Sequence, residues 1–155
     1  KTTLDYFMLK HNRFAEATMT VAELRVLLEK NLSSQKKGGL LSISGVQVNI
    51  TCNKEGKAIV TLVDGKGKFW PDARKVKVVT TDFVALGGDG GLGVDEGRVV
   101  VDEGDPVREH LVRGFEKRKG QTLKGDDPSL FSTSAPRMKN AHQVQARCAA
   151  PSEKR

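Results

Sequence analysis

Apolar residues recur along this chain with two distinct periods. Val21, Leu24, Leu27 and Leu28 fall at helical spacing behind Thr20 and Glu23, a capping-box pair, so the pattern predicts an amphipathic helix from Thr20 to about Asn31. A second helical pattern, Val107, Leu111, Val112 and Phe115, comes after Asp105-Pro106. There the aspartate is the expected N-cap and the proline the first helical residue. Lys117-Arg118-Lys119 and Gly120 are expected to close that helix, the cations facing the negative end of the dipole. Elsewhere β-branched or alternating runs predict strands at Ala15–Met19, across Val46, Val48 and Ile50, and at Lys57–Val63, Lys75–Thr80 and Arg98–Val101. Turns at Asn53–Gly56 and Asp64-Gly65 separate them. Lys1–Leu9 reads as a short apolar strand or a turn leading into one. Two capped helices among strands predict an α/β (α+β) domain with the helices on a mixed sheet. Past Gln121 the patterning fades. Pro128, Pro136 and Pro151 punctuate a tail whose one sizeable apolar pair is Leu130-Phe131, with a short helix expected over His142–Ala150. The expected organisation is a domain over 1–120 and an irregular tail over 121–155.

The strand at Lys75–Thr80 delivers Thr81, Asp82 and Phe83 into a cluster of glycines, Gly87, Gly88, Gly90, Gly91 and Gly93, with Asp89 among them. Such a loop turns tightly and lets backbone approach a ligand or another segment. Gly88-x-Gly90-x-x-Gly93 matches the dinucleotide fingerprint in form, but that site needs a helix N-terminus next. Here Val94-Asp95-Glu96-Gly97 and a β-branched run come next, and the two carboxylates would repel a phosphate. On residue type alone, Phe83 is either a core side chain or an aromatic platform, and Asp89 either caps its own turn or offers a carboxylate to a ligand.

Composition narrows the classes further. The chain has 155 residues, 37% of them apolar and 5% aromatic, and no run nears the roughly 20 apolar residues of a membrane span. The net charge of +7 is scattered over Lys36-Lys37, Lys66, Lys68, Arg74–Lys77, Lys117–Lys119 and the tail, with carboxylates between. It forms no stripe with interleaved aromatics, which leaves nucleic-acid binding only in a weak, salt-sensitive form. Cys52 and Cys148 do not have a metal-ligand spacing, and His11, His110 and His142 stand apart. The cysteines form one disulfide in an exported protein or two thiols otherwise. Lys1 opens the chain without an initiator methionine or secretion signal, so a processed chain or a piece of a longer precursor is expected.

TDFVALGGDG, Thr81–Gly90, resembles the TDF-[LV]-A-x-GGDG segment in the C-terminal domain of 5′-nucleotidases, the family of bacterial UDP-sugar hydrolases and 2′,3′-cyclic-nucleotide phosphodiesterases. Met8–Phe14 is similar to the family's LPF-x-N-x-L, and Leu41–Val46 to its L-Q-x-S-G-[LI]. The resemblance runs from Thr3 to about Gly120. It implies that Phe83 stacks on a nucleobase, that Asp89 lies near the nucleoside, that Asn12 reads a base edge, and that Gly87, Gly88 and Gly90 shape the loop around them. Base stacking is worth ~1–3 kcal/mol on any aromatic face, and a carboxylate accepts bonds from ribose hydroxyls. Where the family places Pro-Phe, the second face of the clamp, this chain has Leu9-Lys10, and a hydrated ammonium does not stack as a ring does. Trp70 could be a further platform, but beside Pro71 it reads rather as a packing anchor.

In complete enzymes of this family two divalent metal ions and a His-Asp pair reside in a separate N-terminal metallophosphatase domain. Its D-x-H, G-N-H-[DE] and G-H-x-H motifs do not occur here, nor does the family's N-G-G-G-x-R segment. The resemblance thus implies a substrate-binding domain whose partners are that catalytic domain and a nucleotide or nucleoside, in a periplasmic or extracellular setting. The chain alone is expected to hydrolyse no nucleotide, cyclic nucleotide or nucleotide sugar. The alternative is a degenerate structural or interaction module that kept the fold and lost the pocket.

Overall fold

Thr20 ends one element and starts the next, because its hydroxyl closes a capping box just where the β alternation stops. The computed structural model describes residues 11–33, 42–118, 120, 122, 137–139 and 148. In chain order the elements are β1 (Phe14–Thr20), α1 (Val21–Ser33), β2 (Gln47–Cys52), β3 (Ala58–Val63), β4 (Lys75–Thr81), the single-turn α2 (Asp82–Ala85), β5 (Val99–Val101), α3 (Val107–Glu116) and β6 (Met138–Lys139). Short 3-10 turns lie at Gly88–Gly90 and Glu96–Arg98. The elements fall into two units, one drawn from Lys1–Met19 and Lys75–Lys124, the other from Thr20–Arg74 and Gly125–Arg155.

The first unit is built on a three-stranded sheet of order β4-β1-β5. In β1, Ala15, Ala17 and Met19 are buried and alternate with partly exposed Phe14, Glu16 and Thr18, as a pleated strand with one covered face requires. β5 runs antiparallel to it with Glu16 opposite Val100. On the other side, the Val21 N–H donates to Arg74 C=O and the Asp82 N–H to Arg13 C=O, both at 2.9 Å. Early residues meet late ones, so β4 is antiparallel to β1 as well. The open face carries the Lys77–Glu16 ion pair at 2.7 Å, with Val79 and Val100 64% and 67% exposed.

In the second unit α1 packs on β3 through a stripe in which Val21, Leu24, Leu28 and Leu32 are buried. Its N-terminus has the predicted reciprocal cap: Glu23 accepts from the Thr20 N–H at 2.7 Å, and Thr20 Oγ1 accepts from the Glu23 N–H at 3.2 Å. Glu29 also takes the Val60 N–H at 3.0 Å, fastening the helix to β3. β2 and β3 form an antiparallel hairpin whose Val48, Ile50, Val60 and Leu62 are buried. Asn53 Oδ1 turns it by accepting from the amides of Glu55 and Lys57. β6 adds in parallel on the other side of β2, so this sheet is mixed, with order β3-β2-β6.

The α/β class and its two main helices are present, and the predicted strands between Ala15 and Val101 occur within a residue or two. They sort into two three-stranded sheets, because β1 passes directly into α1 and β4 then returns beside β1. The region read as an irregular tail supplies β6 and a disulfide, Cys148 to Cys52, with Cα atoms 5.6 Å apart. Lys1–Leu9 and, apart from Cys148, the helix expected over His142–Ala150 lie outside the described residues.

Two expectations about α3 need correction. Pro106, not Asp105, is the N-cap, with ψ at 150° and no side-chain cap; the Asp105 carboxylate binds Arg113 instead. Of the predicted buried stripe only Val107 is fully buried, while Leu111 and Phe115 are 39% and 50% exposed. The bonds fastening this helix to the sheet lie in its first turn, where the Val107 N–H donates to Asn12 C=O at 2.9 Å and His110 meets the Phe14 ring edge-on. Among the described residues no helix is long and apolar enough to cross a membrane.

Candidate functional site

Antiparallel pairing brings the start of β1 beside the ends of β4 and β5, so one end of the first sheet gathers Asn12, the Thr81–Gly91 loop and the start of α3. The loop does not leave β4 as irregular chain. Thr81 Oγ1 accepts from the Val84 N–H at 3.4 Å and caps the single helical turn Asp82–Ala85, while the Asp82 carboxylate takes the Phe83 N–H at 2.8 Å. Ala85, on the inner side of this turn, is buried, and Phe83 is presented outward with 44% of its surface exposed. The core reading of Phe83 is thereby excluded.

The glycines explain how the ring is held. A β-carbon built on Gly88 would lie 2.5 Å from Cε1 and Cζ of Phe83, so the ring rests directly against the Gly88 backbone. Gly87 enters the following 3-10 turn in the left-handed region at φ 108°, Gly90 sits at φ 90°, and the Gly91 N–H returns to Gly88 C=O at 2.8 Å. Asp89 is the middle residue of that 3-10 turn; its side chain lies outside the described part of the structure. The glycine loop leads into a second 3-10 turn and β5, not into a long helix aimed back at it, in accord with the rejection of a dinucleotide fingerprint.

Asn12 is half-buried at the same end of the sheet. Its backbone carbonyl is taken by Val107, and its side-chain amide makes no hydrogen bond among the described residues, leaving a donor and an acceptor for a ligand. Lys10, at the position of the family's second aromatic face, lies outside the described residues. Two further residues shape the site. Asp82 buttresses Phe83 through its own turn, and Arg13 ties the start of β1 to the carbonyls of Glu103 and Gly104. The signal for Asp82 was available, since an aspartate after a capping threonine favours a helix start; nothing local marks Arg13, whose partners are 90 residues away.

Trp70 belongs to the second unit and is a packing residue there. The Arg74 guanidinium covers its ring at 4.2 Å, and its indole nitrogen is buried without a partner among the described residues. Beside it Asp64 accepts the amides of Lys66 and Lys68, and these bonds, with that to Lys68 foremost, hold its carboxyl below the ordinary range. Among the described residues no three His, Cys, Asp or Glu side chains gather as a metal site would require.

The model of the 5′-nucleotidase C-terminal domain matches residues 4–94, more than half of the chain. The chain belongs to this family. The match contains Asn12, Phe83 and the whole glycine loop; β5 and α3 lie beyond it. In fold the chain is similar to the solved structure of NAD nucleotidase from Haemophilus influenzae, with a TM-score of 0.55 and 22% identity over 74% of this chain. It spans 23% of the length of that protein. No curated protein matches it in sequence.

Proposed function

We propose that this chain is the nucleoside-reading part of a 5′-nucleotidase-like phosphoesterase, exported to the periplasm or the extracellular space. The observation that carries the proposal is Phe83: a large aromatic ring left 44% exposed, seated on a glycine that has no room for a β-carbon, at the sheet end that also holds the Asn12 side-chain amide, unbonded among the described residues. A ring so placed offers a face to a base; Asn12 and Asp89 supply polar contacts, and Gly87, Gly88 and Gly90 form the floor. The disulfide supports an oxidising compartment. The hydrolytic chemistry, with two divalent metal ions, belongs to a metallophosphatase domain outside this chain, and residues 1–155 alone turn over no nucleotide. One aromatic face at ~1–3 kcal/mol falls well short of the ~8 kcal/mol of a micromolar complex, so affinity is weak.

Titration of the full chain with adenosine or uridine, followed by NMR, tests this. Shifts should concentrate at Phe83, Asn12 and Asp89. Phe83→Ala should abolish them while the protein stays folded, and Lys10→Phe should strengthen them by restoring a second face. A parent protein with no response at Phe83 is instead a fold-retaining module whose pocket is only ancestry.

A further inference from the structure

Arg13 carries the hydrogen bonds that hold this end of the sheet together. Its carbonyl accepts the Asp82 N–H at 2.9 Å, fixing the point where β4 hands over to the turn that presents Phe83. Its guanidinium donates to the carbonyl oxygens of Glu103 and Gly104, in the connection from β5 to α3. Its neighbours are held in the same way: Asn12 C=O takes the Val107 N–H at 2.9 Å, and Phe14 C=O takes the Asp102 N–H at 2.8 Å. Three consecutive residues thus join the end of β4, the end of β5 and the start of α3. Asn12 cannot shift relative to Phe83 without breaking one of these bonds. A planar guanidinium with several donors can bind two successive carbonyls at once, which an ammonium on a flexible stem does less well.

We infer that Arg13 is the positioning residue of this site: it sets the Asn12 amide in register with the Phe83 ring and does not itself touch the base. The inference rests on the nucleoside reading above. The fold does not depend on the guanidinium, because β1, β4 and β5 pair through their backbones.

The test compares the full-length parent with Arg13→Ala and Arg13→Lys, reading amide exchange and adenosine titrations by NMR. In Arg13→Ala the amides of Asp102 and Val107 should exchange about tenfold to a hundredfold faster, the worth of a charge-assisted hydrogen bond, while those of Ala15 and Ala17 stay protected. Adenosine should then lose its effect on the Asn12 side-chain amide but still perturb the Phe83 ring. That split is one a general loosening would not produce. Arg13→Lys should be intermediate in both readings. Unchanged exchange at Asp102 and Val107, unchanged adenosine binding, or an equal loss at Asn12 and Phe83 would each overturn the inference. If Arg13→Ala does not fold, Arg13→Lys decides, and parent-like values in both readings count against it. If the parent shows no adenosine response, the nucleoside reading has failed, and exchange at Asp102 and Val107 alone decides whether Arg13 sets this geometry.

Discussion

Gly88 and Gly91 both exclude a β-carbon, for different reasons. At Gly91 the added atom would lie 2.5 Å from the Gly87 Cα, backbone against backbone, in a residue already at φ 54°. Backbone on both sides of that contact cannot give way locally, so Gly91→Ala should cost about 1–3 kcal/mol in denaturant unfolding. At Gly88 the obstacle is the far edge of the Phe83 ring, which is half exposed and free to swing outward. Gly88→Ala should therefore cost less than about 1 kcal/mol of stability while weakening base stacking, a loss of up to ~1–3 kcal/mol in nucleoside binding. Equal destabilisation by the two substitutions would show that the ring is clamped. The positions of these glycines were legible in the sequence, but the reason for Gly88 was not, because it depends on where a side chain five residues earlier comes to rest.

Among the elements, α3 departs furthest from its sequence pattern. Its helical spacing is genuine, yet spacing reports which residues share a face and not whether anything covers it. The residue expected to cap it, Asp105, pairs with Arg113 at 2.6 Å, with side chains 56% and 47% exposed. The hydrogen bond from Arg113 and its charge hold the Asp105 carboxyl below its ordinary 3.8. A folded value below the unfolded one means that the pair stabilises above the unfolded pKa of about 3.9, and that this is lost as pH falls through the folded value. Asp105→Asn should accordingly lower thermal stability near neutral pH, by a small amount given the exposure, and the difference from the parent should vanish in acid. High salt should shrink it as well. A difference that persists at pH 2 would assign Asp105 a role other than its charge.

At the scale of the whole molecule, the disulfide is the longest-range constraint among the described residues, joining residues 96 apart. β6 has two paired residues, too few to hold a segment against its conformational entropy without such a tie. Closing a loop of this length is worth about 4–5 kcal/mol on the chain-entropy estimate. Reduction, or Cys148→Ser, should lower the unfolding free energy by an amount of that order, seen as a fall in the urea midpoint; an unmoved midpoint would show that the sheet order β3-β2-β6 stands without the bridge. The sequence by itself determined what neighbours in the chain control: the alternation of β1, β2 and β3, the capping box of α1, the glycines that turn the loop, and the family segment Thr81–Gly90. Dihedral preference and side-chain period act over a few residues, so they are readable from a few residues. Only the tertiary structure decided that the strands divide between two sheets, that Cys52 meets Cys148, that the face of α3 stays half open, that Phe83 is exposed rather than core, and that Arg13 reaches Glu103 and Gly104. Each of these depends on which distant segments meet, and no local pattern encodes that.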